Sequence, residues 1–423
     1  MPGHRHTHLL GIDFGTSNTA AALVGADGKL HTLALDEGST SMPTALFFSS
    51  EDGSVAYGRA AMRAYLEGHE GRLMRSIKSL LGSSLMNEQT LLNGRMVSYF
   101  EVVTLFFKEL KRRCEDQLGH PVHAVLLGRP VHFVDDDATR DTQAQTTLGE
   151  AAQAAGFTHV QFQLEPIAAA FDYEQRVTTD GTVLVVDIGG GTSDFTVARV
   201  GPSHAGRADR SADILATTGV HIGGTDFDQL LNLRHVMPLL GLGHVGPHGR
   251  SMPSSLFHAL STWHLVPQCY TRKSLHDAAQ LRTDYREPAL HKRLMHVLHE
   301  RQGHRILAHT ETAKIACSNT RADAQLELDC IERGLHVLLT PAGLDDTLQA
   351  QMGSIVACAL ECAARAGLAP HSLDALYLTG GSSALAPLAV ALGQAFPGAR
   401  LLTGDRLGSV AAGLAYGGAA LKS

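Results

Sequence analysis

The chain has 423 residues, 44% of them hydrophobic and 18% charged, with a formal charge of -7. That length is too great for one simple core, so two lobes or more are expected, and an acidic balance without a dense Lys/Arg stripe argues against non-specific nucleic-acid binding. The six cysteines (Cys114, Cys269, Cys317, Cys330, Cys358, Cys362) lack CxxC spacing and read as reduced thiols of a cytoplasmic protein. Neither the N-terminal Met1-Pro-Gly-His-Arg-His-Thr-His8 nor any later run approaches the roughly 18 to 20 apolar residues that cross a bilayer, so neither secretion nor a membrane partner is expected.

In chain order, the pattern is alternating strands and helices with hairpins, which predicts α/β layers. Leu9 to Phe14 and Ala20 to Val24 are predicted as a hairpin. Phe100 to Arg113 has helical apolar spacing and a basic end, and Ala124 to Leu127 reads as a strand that closes in a turn at Gly128-Arg-Pro130. Glu165-Pro166-Ile-Ala-Ala-Ala170 opens a helix, with Pro166 suited to the first turn and three alanines that permit close approach of another helix. Val183 to Asp187 and Asp194 to Val200 form a second predicted hairpin. Leu376 to Thr379 is a strand entering a glycine turn, and Gly408 to Ala415 is a small-residue helix that could be the mate of the alanine face.

The two hairpins surround nearly the same signature. Gly11-Ile-Asp13-Phe-Gly15-Thr16-Ser17-Asn18 and Val186-Asp187-Ile-Gly189-Gly190-Gly191-Thr192-Ser193-Asp194 each end an apolar run with a carboxylate and glycines. Glycines let a tight turn bring backbone N–H groups close to a phosphate, the Thr and Ser hydroxyls add donors, and the Asp can hold a hydrated cation. Either motif alone is an ordinary turn; matching chemistry in two halves of one chain reads as a duplicated phosphate clamp. Other motifs carry less. The chain has 24 histidines, concentrated from His235 to His309, yet none forms an HExxH or Cys/His ligand set, and His296-x-x-His299 alone is common on helices. Gly241-Leu-Gly243-His-Val-Gly246 nominally fits GxGxxG but runs into Gly-Pro rather than a helix, and no Gly-Lys-Ser/Thr follows Gly191 to make a P-loop.

With these segments placed, the chain resembles the nucleotide-binding domain of the heat shock protein 70 (Hsp70, DnaK-type) family, within the actin-like and sugar-kinase-like ATPase superfamily. The resemblance covers almost the whole length and keeps the family's motif order. It runs through Asp13 to Asn18, Ile77-Lys78-Ser-Leu-Leu-Gly82, Glu165 to Ala170, Asp187 to Asp194, Gly223-Gly224-Thr-Asp226-Phe-Asp228, Glu311-Thr-Ala-Lys314 and the adenosine-type Gly380-Gly381-Ser382. It implies an actin-like fold of two lobes, each with a ribonuclease H-like core of sheet and helices. Residues 1–38 and 119–178 would form the lobe I core, 39–118 its peripheral subdomain, and 179–222 and 346–402 the lobe II core. Residues 223–345 would be a peripheral subdomain with a His-rich insertion, and 403–423 the closing helix of lobe I.

The resemblance also implies roles. Asp13 and Asp187 would position Mg²⁺ through its waters. The amides around Gly15, Thr16, Ser17 and Asn18, and around Gly189, Gly190, Gly191 and Thr192, would hold the β- and γ-phosphates of ATP or ADP. Lys78 would reach the γ-phosphate and, with Glu165, orient the attacking water, while the Thr192 hydroxyl stands beside that phosphate. Gly223, Gly224, Glu311, Lys314, Gly380, Gly381 and Ser382 would line the place of base and ribose. The sequence departs from the family where two arginines clasp the adenine: Ala384 and Ile315 stand there. Leu407 falls where the family has a carboxylate, with Asp405 nearby. The chain stops at Ser423, without the linker, peptide-binding sandwich and lid of full chaperones, and so resembles the short, truncated (YegD-like) bacterial members. A slow ATPase with a chaperone-related or regulatory role, acting on an unidentified protein partner, is the favoured function. A small-molecule kinase of the same superfamily and a nucleotide-gated scaffold with negligible turnover are the alternatives.

Overall fold

The computed structural model describes residues 9–92, 94–134, 136–205, 210–247 and 249–420. The His-containing N-terminal octapeptide lies outside them. The chain divides into two compact units, one of Met1–Gly223, Ile355–Ser383 and Ala391–Ser423 and one of Gly224–Ser354 and Ala384–Val390.

The first unit holds two mixed sheets with one topology. In the first, β1 (Leu10–Phe14) pairs antiparallel with β2 (Asn18–Val24), and β2 with both β3 (Leu30–Thr32) and β4 (Ser41–Pro43). On its other side β1 pairs parallel with β5 (Ala124–Arg129), and β5 with β6 (His159–Leu164). The second repeats this plan: β7 (Gly181–Ile188) pairs antiparallel with β8 (Ser193–Val200) and β8 with β9 (Ile214–Val220), while β7 pairs parallel with β10 (Ala375–Thr379) and β10 with β11 (Arg400–Thr403). The duplicated signature is therefore the visible part of a duplicated sheet, as the ribonuclease H-like reading requires. Strand β5 continues through Gly128 to Arg129, two residues into the predicted turn, because both residues still pair with β6.

Helices bury the apolar faces of these sheets. Helix α1 (Tyr99–Leu118) starts at a capping box of Ser98 and Glu101 and stops at Gly119, whose φ of 71° is the left-handed cap that glycine adopts without strain. It packs Phe106 and Phe107 onto Phe14 of β1, with centroids 5.7 and 5.0 Å apart. Helix α2 (Ala138–Ala154) is capped by Asp137. Helices α3 (Glu165–Glu174) and α4 (Ser409–Ala420) meet along the small-residue faces anticipated from sequence: Ala168, Ala169 and Ala170 are buried, and a Cβ at Gly413 would stand 3.0 Å from Ala168 Cα and nearer still to its carbonyl. The same helix presses on β1, where a Cβ at Gly11 would lie 2.7 Å from the Ala415 nitrogen.

The second unit is mostly helical and contains the His-rich stretch. Helix Gly224–Leu231 runs into a π turn (Asn232–Val236) and a 3₁₀ turn (Met237–Leu240) that ends at Gly241, φ 116°. The GxGxxG match is thus the exit of a turn rather than the entrance to a helix. Several histidines are packing residues: the His304 ring stacks on Trp263 at 5.4 Å, and Tyr285 sits between His244 and His291 at 5.5 and 5.2 Å. Among the described residues, no group of three or more His, Cys, Asp or Glu could hold a metal ion, no disulfide forms, and no helix is long and apolar enough to cross a membrane.

Candidate active site

Both clamps are four-residue turns closed by the same hydrogen bond, Gly15 N–H to the Asn18 carbonyl at 3.0 Å and Gly189 N–H to the Thr192 carbonyl at 2.9 Å. The two turns face each other: a Cβ at Gly190 would stand 3.2 Å from Ser17 Cβ and 3.3 Å from Thr16 Cβ, and one at Gly191 would be 3.1 Å from Thr16 Oγ1. Two more of the predicted glycines close in on the second clamp. A Cβ at Gly223 would lie 2.5 Å from the Gly191 nitrogen, and Gly380, at φ 79°, leaves room for Asp187 Oδ1, which an added Cβ would meet at 2.5 Å. Side chains at these positions would fill the space in front of the backbone amides.

Each clamp has a hydroxyl brace. Thr44 Oγ1 donates to the Gly15 carbonyl at 2.8 Å and the Thr44 N–H to Ser17 O at 2.9 Å; Ser193 Oγ donates to Ile222 O at 2.7 Å. Thr44 is fully buried and was not singled out from sequence, since an isolated Thr 29 residues from its acceptor carries no local signal.

Between the clamps lie the ionisable groups. Lys78 Nζ is 2.7 Å from Glu165 Oε1, and both side chains are 7% exposed. Lys78 rides a 3₁₀ turn, Ile77–Leu80, entered through Ser76 in the left-handed conformation (φ 58°, ψ 34°). Glu165 opens α3, where its charge faces the helix N-terminus, and Gly128 of β5 gives it room, a Cβ there meeting Glu165 Cγ at 3.0 Å. Burial pulls the Lys78 ammonium down, but attraction to Glu165 and Asp13 and the hydrogen bond to Glu165 outweigh it and raise its pKa. The carboxylates respond oppositely. Burial, then repulsion from Glu165, lifts Asp13 to about 7 and holds Asp187 well above the carboxylate range.

A residue missing from the predicted set belongs here. Asp194 is 1% exposed, accepts the Val131 N–H at 2.7 Å and bonds the Thr192 side chain, and is lifted to about 7 by burial and by Glu165. Its partners come from the loop after β5 and the start of α3, so only the fold reveals them. The first unit thus gathers Asp13, Gly15 to Asn18, Lys78, Glu165, Asp187, Gly189 to Thr192, Gly223 and Gly380, with Gly381 exposed and Ser382 half-buried beyond them.

The remaining predicted residues, Gly224, Glu311 and Lys314, belong to the second unit. Glu311 and Lys314 sit one turn apart on the helix Gly303–Thr320, followed by Ile315, which is 49% exposed. Lys314 is committed: its ammonium pairs with Asp228 Oδ1 at 2.7 Å and donates to Gly224 O at 3.4 Å. Ser318, on the next turn, accepts the Ala386 N–H at 3.0 Å and anchors the segment that begins at Ala384.

Comparison with known proteins agrees with this geometry. The family described as Hsp70 protein matches residues 89–238. The chaperone protein DnaK of Thermosipho melanesiensis is 31% identical over 224 residues, 52% of this chain and 34% of DnaK. A chaperone protein HscA homolog of Vibrio vulnificus is 32% identical over 248 residues, 54% of this chain and 37% of that protein. The matches span little more than a third of the relatives' own length. With the repeated sheets, the facing clamps and the ordered motifs, they support an Hsp70-family nucleotide-binding domain, a domain of actin-like ATPase fold.

Proposed function

We propose that the chain binds Mg-ATP and hydrolyses it slowly to ADP and phosphate, in a chaperone-related or regulatory role. The observation that carries this reading is the pair of glycine turns, closed by the same hydrogen bond and facing one another, in the same unit as the buried Lys78–Glu165 ion pair. The relatives named above are chaperones, which supports the class of role.

The residues present fit the nucleotide and the cation. The glycine turns bring two stretches of backbone close together without side-chain obstruction, as a polyphosphate needs. Half-buried Asp13 and buried Asp187 and Asp194, all repelled by Glu165 and with their carboxyls lifted, are charges that a divalent ion would relieve. They form no direct ligand cluster, which suits an ion held through its own water by Asp13 and Asp187, as Mg²⁺ prefers. When bound, Mg²⁺ supplies neutralisation of phosphate charge. The chain's own groups do the rest: Lys78 offers a fixed positive charge to the terminal phosphate, Glu165, oriented by that lysine, positions water, and Thr192 offers a hydroxyl. Gly223 and Gly380 to Ser382 are assigned to the nucleoside, as are Gly224, Glu311 and Lys314 from the motif order.

Steady-state phosphate release tests the assignment. The wild type should show slow, Mg²⁺-dependent release that EDTA abolishes. Asp187→Asn should lower it strongly with the fold intact, and Lys78→Ala should lose turnover while ATP still binds, because a charge met mainly in the transition state affects rate more than ground-state affinity. Equal rates in wild type and Asp187→Asn would refute the reading.

A further inference from the structure

A second cavity of about 390 Å³ opens in the first unit at the opposite end of the second sheet from the clamps. It is lined by Tyr173 and Arg176 at the end of α3, Val183 of β7, Asp374 and Tyr377 at β10, and Arg400 of β11. In the β7–β10 register this end is marked by Val183 opposite Ala375, and the clamp end by Asp187 opposite Thr379. The lining extends along the sheet through Tyr377, opposite Val185, to Thr403, opposite Leu378. None of the lining residues belongs to either clamp, and the reading of the cavity is independent of the proposed ATPase.

Its walls combine an apolar floor with unspent donors. The rings of Tyr173 and Tyr377 lie 4.9 Å apart and are 5% and 1% exposed. Every carboxylate nearby already holds a donor. Asp172 Oδ2 accepts from Tyr377 Oη at 2.7 Å and from Arg176 at 2.9 Å; Asp374 Oδ2 accepts from the Thr182 N–H at 2.7 Å; Asp180 accepts from the Ser203 N–H at 3.0 Å and from its hydroxyl. By contrast, among the described residues the guanidinium of Arg400, an exposed side chain, has no acceptor, and the Tyr173 hydroxyl has no partner. Both residues line the cavity together with Asp374. The Arg400 guanidinium and the Tyr173 hydroxyl are thus donors presented next to aromatic and aliphatic surface, with Asp374 and Asp180 on the same lining.

We propose that this cavity is a ligand site for a small carboxylate with an apolar body, its carboxylate held by Arg400 and the Tyr173 hydroxyl and its body lying on the tyrosine floor. The volume falls in the range of small-molecule pockets, and an arginine fork matches a carboxylate with two parallel hydrogen bonds. Such a carboxylate could be a free acid or the C-terminus of a peptide.

Calorimetry and saturation-transfer NMR on the full chain test this with benzoate, benzamide and acetyl-leucyl-phenylalanine as free acid and as amide. Benzoate should bind, with benzamide weaker by about tenfold or more, the loss expected when a charge-assisted bidentate contact becomes neutral. Arg400→Gln and Tyr173→Phe should each weaken benzoate without lowering the melting temperature, and saturating Mg-ATP should not displace it. The dipeptide acid binding more tightly than benzoate would point to a chain terminus as the source, and more weakly to a free acid; either keeps the carboxylate site. Absence of benzoate binding, equal binding of benzamide, equal binding by Arg400→Gln, or displacement by Mg-ATP would overturn it.

Discussion

Glycine to alanine within a helix normally stabilises a protein, by about 0.8 to 1 kcal/mol, because alanine loses less backbone entropy. At Gly413 the sign should reverse. The added Cβ would stand 3.0 Å from Ala168 Cα and closer to the Ala168 carbonyl, where carbon contacts need roughly 3.5 to 4.0 Å. Helices α3 and α4 must then part, and the small-residue seam that lets Val410 and Leu414 pack with Ala168 and Tyr173 loses contact along its length. Overpacking of this kind costs about 1 to 3 kcal/mol. Taking the upper value, because backbone blocks the new atom, and subtracting the propensity gain leaves a net loss of about 2 kcal/mol, or roughly 2 °C in melting temperature for a chain of this size. The internal control is Gly353, also helical, with nothing within 4 Å of its would-be Cβ; Gly353→Ala should gain about 1 kcal/mol. Urea unfolding of the two variants beside wild type reads both signs. If Gly413→Ala is as stable as wild type or more so, the close approach of α3 and α4 is not as described.

Three further outcomes follow from the sites. Asp194→Asn retains an acceptor for the Val131 N–H but loses a buried charge, so phosphate release should fall by about tenfold or more with an unchanged melting curve; unchanged turnover would remove Asp194 from the machinery. With Ala384 and Ile315 in place of two stacking guanidiniums, each worth roughly 0.5 to 2 kcal/mol, the wild type should discriminate poorly between ATP and GTP, and Ile315→Arg with Ala384→Arg should tighten ATP by about one to two decades in calorimetry. A hundredfold ATP preference in the wild type with no gain in the double variant refutes it. At Asp213, burial pushes the pKa up, but hydrogen bonds from Arg210 and His204, each at 2.7 Å, outweigh it and hold it below the ordinary value. A depressed folded-state pKa contributes stability above the unfolded value and loses it as pH falls through the folded one. The stability gap between wild type and Asp213→Asn, about 1 to 2 kcal/mol at pH 7, should therefore shrink towards pH 3, and a gap that holds or widens in acid contradicts the assignment.

How much of this was legible in the sequence depends on whether the interaction is local. Both hairpins were, because an apolar run, a carboxylate and glycines lie within one turn of chain. The α3–α4 seam was, because alanines and glycines at helical spacing advertise close approach even before the partner is known. Asp194 was visible as a motif letter but not as a member of the charged cluster, since its field comes from Glu165, and its hydrogen bond from Val131, in other elements. The engagement of Lys314 by Asp228 was equally hidden: the two belong to separate motifs, each read as a nucleotide contact, and only packing shows that one spends the other's charge. The histidines point the same way. Their sequence shows no ligand set, but only the fold shows that His304 and His291 serve as rings against Trp263 and Tyr285.

The cation of the site hangs from a single turn. Lys78 is borne by the short 3₁₀ turn Ile77–Leu80, entered through the left-handed Ser76 and left through Gly82 at φ 73°, with the Ser79 N–H to Ser76 O and Leu81 N–H to Lys78 O bonds, both 3.1 Å, at its ends. Asp13 and Asp187 are held by strands paired on both sides, and Glu165 by the first turn of a packed helix. Local opening is least costly where few hydrogen bonds must break. The anionic wall is thus slow, moving only with a whole sheet, whereas its counter-charge is on a separate and faster clock. Hydrogen exchange should show it: the amides of Ser79 and Leu81 should exchange well before those of Ile12 or Val186, and the interval between them measures how long the wall stands without its lysine.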